Sequence, residues 1–212
     1  MEVTWLGHSC FKIRGKEVTL VTDPFAESIG YPSVKLAANI VTLSHAHPGH
    51  SNAAAVDGSP KVISRQGEYE IGGVFITGIS TFHDLEQGES RGKNIIYFIE
   101  MEDVRLCHLG DLGHVPSPRQ IEDLGNVEVL ILPIGGISTI DAKMAAEIVR
   151  LLNPKIILPM HYGNEVATWL EPSSKFLKEM GLGNVVPQPR FHITRSNLPL
   201  ETQVVLLDYR IT

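Results

Sequence analysis

Short runs in which apolar and polar residues alternate fill the opening third of the chain. Val3-Thr4-Trp5-Leu6, Cys10 to Ile13 and Glu17 to Val21 predict three strands, and Arg14-Gly15-Lys16 supplies the turn between the second and third. Asn39 to Leu43 predicts a further apolar strand that runs straight into a group of histidines. Asn52 to Asp57 reads as a short helix closed by Gly58 and Pro60. More strands are expected at Lys61 to Ser64, Val74 to Ile79, Asn94 to Glu100 and Val104 to Cys107.

The rhythm changes in the second half. Ser117-Pro118 has the form of a helix start, and Gly125 that of its stop. Val129 to Leu132 predicts a buried strand. Asp141 to Leu152 carries the clearest helical period, with Ala145, Ile148, Val149 and Leu152 on one face and Asn153-Pro154 as terminator. Ile156-Ile157-Leu158 is a strand, Ser173 to Met180 a helix ended by Gly181, and strands near Phe191 to Thr194 and Val204 to Leu207 complete the pattern. Strand-rich halves with interspersed helices, no fixed-period repeat and no linker predict one domain over residues 1–212, with two sheets face to face and helices outside.

Composition narrows the function classes. At 212 residues, 43% hydrophobic and 20% charged, the chain matches a folded globular protein. No apolar run approaches the roughly 20 residues of a membrane span, and Met1 leads directly into Glu-Val-Thr-Trp, so a cytoplasmic location without a secretory signal is expected. A net charge of −6 with no basic cluster argues against a long nucleic-acid partner and an anionic membrane, leaving a small-molecule substrate. Homo-oligomerisation is compatible with all of this. The two cysteines, Cys10 and Cys107, lie in strands and read as buried thiols.

Nine histidines are many for this length, and three of them stand in Ser44-His45-Ala46-His47-Pro48-Gly49-His50, after a buried strand. Beyond a strand end the backbone bends, so residues two apart can converge on one ion, and neutral imidazole is a common metal ligand. Asp111, in His108-Leu109-Gly110-Asp111, and His161, after Ile156 to Met160, also stand at strand ends, and Gly110 gives its loop room for a close approach. Three strand ends offering ligand-type side chains point to a metal centre on His45, His47, Asp111 and His161. His83 is weaker on spacing alone.

These motifs, in this order, resemble the metallo-β-lactamase superfamily, especially its small lactonase-like and uncharacterised metal-dependent hydrolase branch. Leu6-Gly7-His8-Ser9-Cys10 looks like the opening strand turn of that branch, and Thr22-Asp23-Pro24-Phe25 like its first motif. His45 to His50 resembles its His-x-His-x-Asp-His signature. Phe82-His83, Leu109-Gly110-Asp111 and Pro159-Met160-His161-Tyr162 resemble its later histidine, aspartate and histidine motifs. The resemblance implies an α/β fold, a four-layer αββα sandwich. It also implies one metal on His45, His47 and His83, with Asp111 bridging, and a second on His50, Asp111 and His161. The chain departs from the pattern at Gly49, which replaces the signature aspartate and leaves the second position one ligand short.

The function expected is hydrolysis of an ester, lactone or phosphodiester-type substrate by a metal-activated water. Zn2+ is the expected ion, one or two per chain, with Mn2+ or Fe2+ as alternatives. Asp111 would handle the water's proton, and His161 or His114 would donate to the leaving group. Two other classes stay open: a non-catalytic metal-binding module with a degenerate second site, and a non-haem iron redox protein. Around the centre, His8 and Asp23 are expected to orient ligand rings by hydrogen bonds, and His108 to pack or bond nearby. His114 should lie at the mouth and His192 should be structural. Tyr162 faces either substrate or core, Glu68 and Glu70 either a hairpin or a pocket wall. Gly135-Gly136 would let amides approach a substrate anion.

Overall fold

A computed structural model of the protein describes residues 1–32 and 35–210. The first half contains β1 (Glu2–Gly7), β2 (Cys10–Arg14), β3 (Thr19–Thr22), β4 (Leu36–Ala37), β5 (Ile40–Thr42), β6 (Val56–Asp57), β7 (Lys61–Ile63), β8 (Gly67–Ile71) and β9 (Val74–Phe82). The second half contains β10 (Lys93–Met101), β11 (Val104–His108), α1 (Pro118–Leu124), β12 (Val129–Pro133), α2 (Ala142–Leu152) and β13 (Ile156–Met160). It ends with α3 (Ser173–Glu179), β14 (Phe191–His192) and β15 (Gln203–Val204).

Two sheets form the inner layers of an αββα sandwich. The first has strand order β14-β1-β2-β3-β5-β7 and the second β15-β13-β12-β11-β10-β9-β8. Side chains alternate across a strand, so Leu20 and Ile40 face the central core with Trp5, Phe11, Ile13 and Ile99, while Val21 and Val41 face the other way. There they meet Leu6, Cys10, Leu36, Ala38 and Val56 in a smaller cluster. The layer outside the first sheet is thin, built on the β4–β6 pair and short 3-10 turns. Outside the second sheet, α2 packs against α3 and β12. No helix among the described residues is long and apolar enough to cross a membrane.

The helix signals are met by the expected physics. Ser117 accepts from the Gln120 amide while Gln120 reaches back to the Ser117 amide, closing a capping box at α1. Asp141 accepts from Met144 N at 2.9 Å, and α2 stops at Asn153 in a left-handed conformation (φ 45°) before Pro154. Its buried face includes Ala145, Ile148, Val149 and Leu152, as its period predicts.

The helix expected at Asn52 to Asp57 is absent. Ala53–Ala55 make a single 3-10 turn, Asn52 provides no side-chain cap, and Val56–Asp57 pair with Leu36–Ala37. Burying β-branched Val56 against the small core outweighs the helix propensity of three alanines, which have no apolar face to bury. Glu68 and Glu70 lie exposed on the edge strand β8, whose hairpin partner is β9, so the hairpin reading holds. The last two strands are shorter than expected. Phe191–His192 give way to a 3-10 turn at Arg195–Asn197, and beyond Val204 the pairing thins to the Val205 amide on Ile157 O and a bridge between Gln188 and Leu207.

Candidate metal centre

Pairing directions place the chemistry at one rim of the sandwich. Strands β1, β3 and β5 run the same way within the first sheet, as do β9, β11 and β13 within the second. His8, Asp23, the His45 to His50 loop, His83, Asp111 and His161 each follow the C-terminal end of one of these six strands. Three of the residues, His8, Asp23 and His161, have φ of 51°, 40° and 48°, left-handed values that cost energy for side chains of this size. The turns thereby aim the side chains inward instead of continuing the strands.

Asp111 Oδ2 is the point of convergence. It lies 3.1 Å from His50 Nε2, 3.4 Å from His83 Nε2, 3.4 Å from His161 Nε2 and 4.0 Å from His45 Nε2. One ligand atom from each of His45, His47 and His83 falls within 4.8 Å of the others, and so does one from each of His45, His50 and Asp111. All six residues expected as ligands are therefore brought together. Asp111 is fixed from behind: Ser9 Oγ donates to its Oδ1 at 3.2 Å, and its amide donates to Asn94 Oδ1 at 3.0 Å. Gly110, with φ of 58°, brings this loop so close that a Cβ would collide with Asn94 and Ser44.

Asp23 orients two of the rings. Its Oδ2 holds His50 Nδ1 at 3.0 Å, so His50 presents Nε2 to the centre. The same oxygen accepts the Ser44 hydroxyl proton at 2.5 Å, and Ser44 Oγ lies 2.9 Å from His45 Nδ1. A hydroxyl has one proton to give. Having given it to Asp23, Ser44 accepts from His45 Nδ1–H, which leaves the Nε2 lone pair of His45 free. The sequence reading anticipated Asp23 but missed Ser44, whose only signal was a serine between a buried strand and a ligand.

Contacts correct some of the other expectations and meet the rest. His8 makes no side-chain hydrogen bond; its ring lies 4.3 Å from that of His161 and 4.7 Å from that of His50, so it does not orient them in the way expected. His114 has both nitrogens engaged by backbone, Nε2 with Phe82 N at 3.3 Å and Nδ1 with Val115 O at 3.0 Å. It is not free to protonate a leaving group. Gly135 lacks a side chain because His161 O occupies that space, and the Gly136 amide is already given to Ile140 O and not offered to an anion. Tyr162 stacks on Trp5 at 5.0 Å and belongs to the core. His108 bonds Ser9 O and Gly110 N, tying two site loops together, and His192 lies at the exposed edge beside Glu2. Cys10 and Cys107 are buried free thiols, raised in pKa by burial.

The charges suit a cation. Burial pushes His45 down to about 3, with neighbouring His50 adding to the effect. Burial also lowers His8, His83 and His161, so four rings offer neutral lone pairs. Burial acts downward on His50 too, yet Asp111 and Asp23 on its two sides raise it to about 10. Desolvation opposes ionisation of Asp111, but His161 and His50 beside it hold its carboxyl well below the usual range. Two carboxylates, Asp23 and Asp111, thus stand among the histidines. His45 Nε2, His83 Nδ1, His161 Nδ1 and His8 Nδ1 are buried without a hydrogen-bond partner. Of these, His45 Nε2 is turned to Asp111, whereas His83 and His161 face Asp111 with Nε2 and carry Nδ1 on the other side of the ring. Buried polar atoms are rarely orphaned, and a metal ion is the partner that His45 Nε2 fits within this histidine and aspartate donor set.

The β-lactamase superfamily domain model matches residues 2–161. The chain belongs to the metallo-β-lactamase superfamily. Several of its relatives are named metal-dependent hydrolases. A UPF0173 metal-dependent hydrolase of Desulforamulus reducens is 31% identical over 199 residues, covering 80% of this chain and 86% of the relative. A UPF0173 protein of Pyrococcus abyssi is 30% identical over 186 residues, covering 77% and 84%. Among solved structures, a candidate Zn-dependent hydrolase of the metallo-β-lactamase superfamily from Thermotoga maritima superposes with a TM-score of 0.80 at 40% identity, covering 97% of each chain. The αββα sandwich and the rim position of the histidines thus agree with superfamily membership.

Proposed function

We propose that this protein hydrolyses a small ester, lactone or phosphodiester at a centre of one or two metal ions, with zinc the favoured metal. His45, His47 and His83 would hold the first ion and His50 and His161 the second, with Asp111 available to both. The observation that carries this reading is the convergence of four imidazoles on Asp111 Oδ2, with the ring orientations of His45 and His50 fixed by Ser44 and Asp23.

When bound, the ion supplies Lewis acidity and lowers the pKa of a water it holds towards about 7. Asp111 keeps its charge, because His161 and His50 hold its carboxyl low. It is therefore a fixed acceptor that orients the attacking water through Oδ2, and a weak store for a proton. Ser9 and Asn94 prevent it from turning away. Both nitrogens of His114 are committed to backbone, and burial keeps His161 neutral as a ligand-type ring, so neither expected donor is free to protonate the leaving group.

The test is an assay of lactones, carboxylic esters and phosphodiesters on the protein before and after complete demetallation, alongside elemental analysis. Turnover that disappears with the metal and returns with Zn2+ supports the proposal. Activity persisting in fully demetallated protein overturns it. Strong metal-dependent stabilisation with no turnover on any substrate favours the non-catalytic module, and iron as the sole retained metal with oxygen-dependent turnover favours the redox reading.

A further inference from the structure

Gly49 leaves the second metal position without the carboxylate that the superfamily signature places there, and the structure shows what fills the space. A Cβ built on Gly49 would lie 2.7 Å from His8 Nε2 and 2.9 Å from His8 Cδ2, closer than such atoms approach. An aspartate at position 49 would require the His8 ring to move from its present place. His8 is buried, it contributes no hydrogen bond through its side chain, and its Nδ1 has no partner. One ring nitrogen of each of His8, His50 and His161 lies within 4.8 Å of the other two. The backbone is built for this approach: His8 adopts φ of 51°, and its carbonyl accepts both His161 N at 3.1 Å and Trp5 Nε1 at 3.0 Å.

We propose that His8 is a ligand of the second metal position, taking the place of the signature aspartate that Gly49 has given up. This rests on the metal-centre reading above. The donor set becomes His8, His50 and His161 with Asp111, four protein ligands in place of three. It also changes the chemistry of the position. Exchanging a carboxylate for a neutral imidazole removes one negative charge and adds a nitrogen donor. Imidazole suits zinc, whereas carboxylate-rich sets suit manganese and magnesium, so the second position should discriminate for Zn2+ over Mn2+.

The test compares the full-length wild type with His8→Asn and His8→Asn/Gly49→Asp. Each is stripped of metal, titrated calorimetrically with Zn2+ or Mn2+ alone, and analysed for bound ions. Asparagine tolerates the left-handed backbone of position 8 and is too short to fill the ring's place, and the melting transition of each metal-free variant checks that it folds. The wild type is expected to bind about two Zn2+ per chain, and His8→Asn to bind the first normally but the second more than roughly 100-fold more weakly, beyond the loss typical of a merely supporting residue. The double variant is expected to regain the second ion, with a Mn2+ affinity at that position above the wild type's. A folded His8→Asn protein that keeps two Zn2+ at unchanged affinity overturns the proposal, as does a wild type that binds a single ion, although either result leaves the hydrolase reading standing. A wild type that binds no ion overturns both.

Discussion

The most informative residue of the centre is Ser44, because one proton on its hydroxyl decides which nitrogen of His45 is available. Ser44→Ala would leave His45 Nδ1–H without its acceptor at 2.9 Å, free the ring to turn and remove one of the donors that hold Asp23. Affinity for the first ion is expected to fall about tenfold, the lower end for a residue that orients a ligand. Asp23→Asn should cost more, about 100-fold, since it disturbs His50 directly and His45 through Ser44. Metal titration of the two variants ranks them, and equal affinities for both variants and wild type would remove the orienting chain from the account. The contrast between these residues also shows what could be read without coordinates. His45, His47, Asp111 and His161 were legible because their side-chain chemistry and strand-end positions already limit what they can do. Ser44 and His8 were not, because the role of each depends on a partner distant in sequence or on the direction of a ring. His114 shows the converse: a plausible residue type at the right place whose nitrogens are already spent on Phe82 and Val115.

At the scale of elements, the connection from β9 to β10 carries His83 and needs its own support. Asp84 provides it. Its carboxylate accepts from the amides of Glu86, Gly88, Ser90 and Arg91 at 3.0, 2.7, 3.1 and 2.6 Å, drawing eight residues of loop around one side chain. Desolvation opposes this charge, and the four amides outweigh it, lowering the Asp84 pKa. Asp84→Ala should therefore release the loop while leaving both sheets intact. Limited proteolysis is expected to cut between Asp84 and Gly92 at least about tenfold faster than in wild type, with a small change in melting temperature, in keeping with local opening of a segment that lacks apolar anchors. Unchanged cleavage would show that the loop is held by something other than its carboxylate clamp. Elements differ in legibility for the same reason that this loop was hard to read. The helix α2 declares itself through an apolar face, a capping aspartate and a stop signal. The edge strand β8 alternates only over Glu68-Tyr69-Glu70-Ile71, too short a run to declare itself, and the turn at Ala53–Ala55 looks helical until Val56 finds its partner across the fold.

At the scale of the whole molecule, the rim that holds the histidines is opposed by a rim held together with ordinary charges, and Glu128 is its keystone. It precedes β12, at the end of the second sheet away from the ligands. Its carboxylate accepts from the Arg105 amide at 3.0 Å and faces Arg105 Nη2 at 3.4 Å, and it also pairs with Arg195. Its main chain joins the same corner: the amides of Lys155 and Ile156 both donate to Glu128 O at 2.9 Å. Burial raises the Glu128 pKa, but the Arg105 amide and the two guanidinium groups outweigh it and bring the value below its ordinary 4.5. A carboxyl whose folded pKa is depressed contributes stability that is complete above its unfolded pKa and is lost as pH falls through the folded one. Glu128→Gln should thus cost about 1–2 kcal/mol at pH 7, the range for a charge-assisted group whose arginine partners are partly exposed. The difference from wild type should shrink below about pH 4.5, where the wild-type side chain begins to be protonated in the unfolded chain, and continue to shrink as the folded form protonates. Subtracting the variant's melting curve from that of the wild type at each pH removes the contribution of the distant histidine centre, since both proteins carry it unchanged. A gap that stays constant down to pH 3 would mean that Glu128 stabilises by shape and hydrogen-bond count alone, whereas a closing gap identifies its charge as what joins β11, β12 and the Arg195 turn at the rim opposite the metal centre.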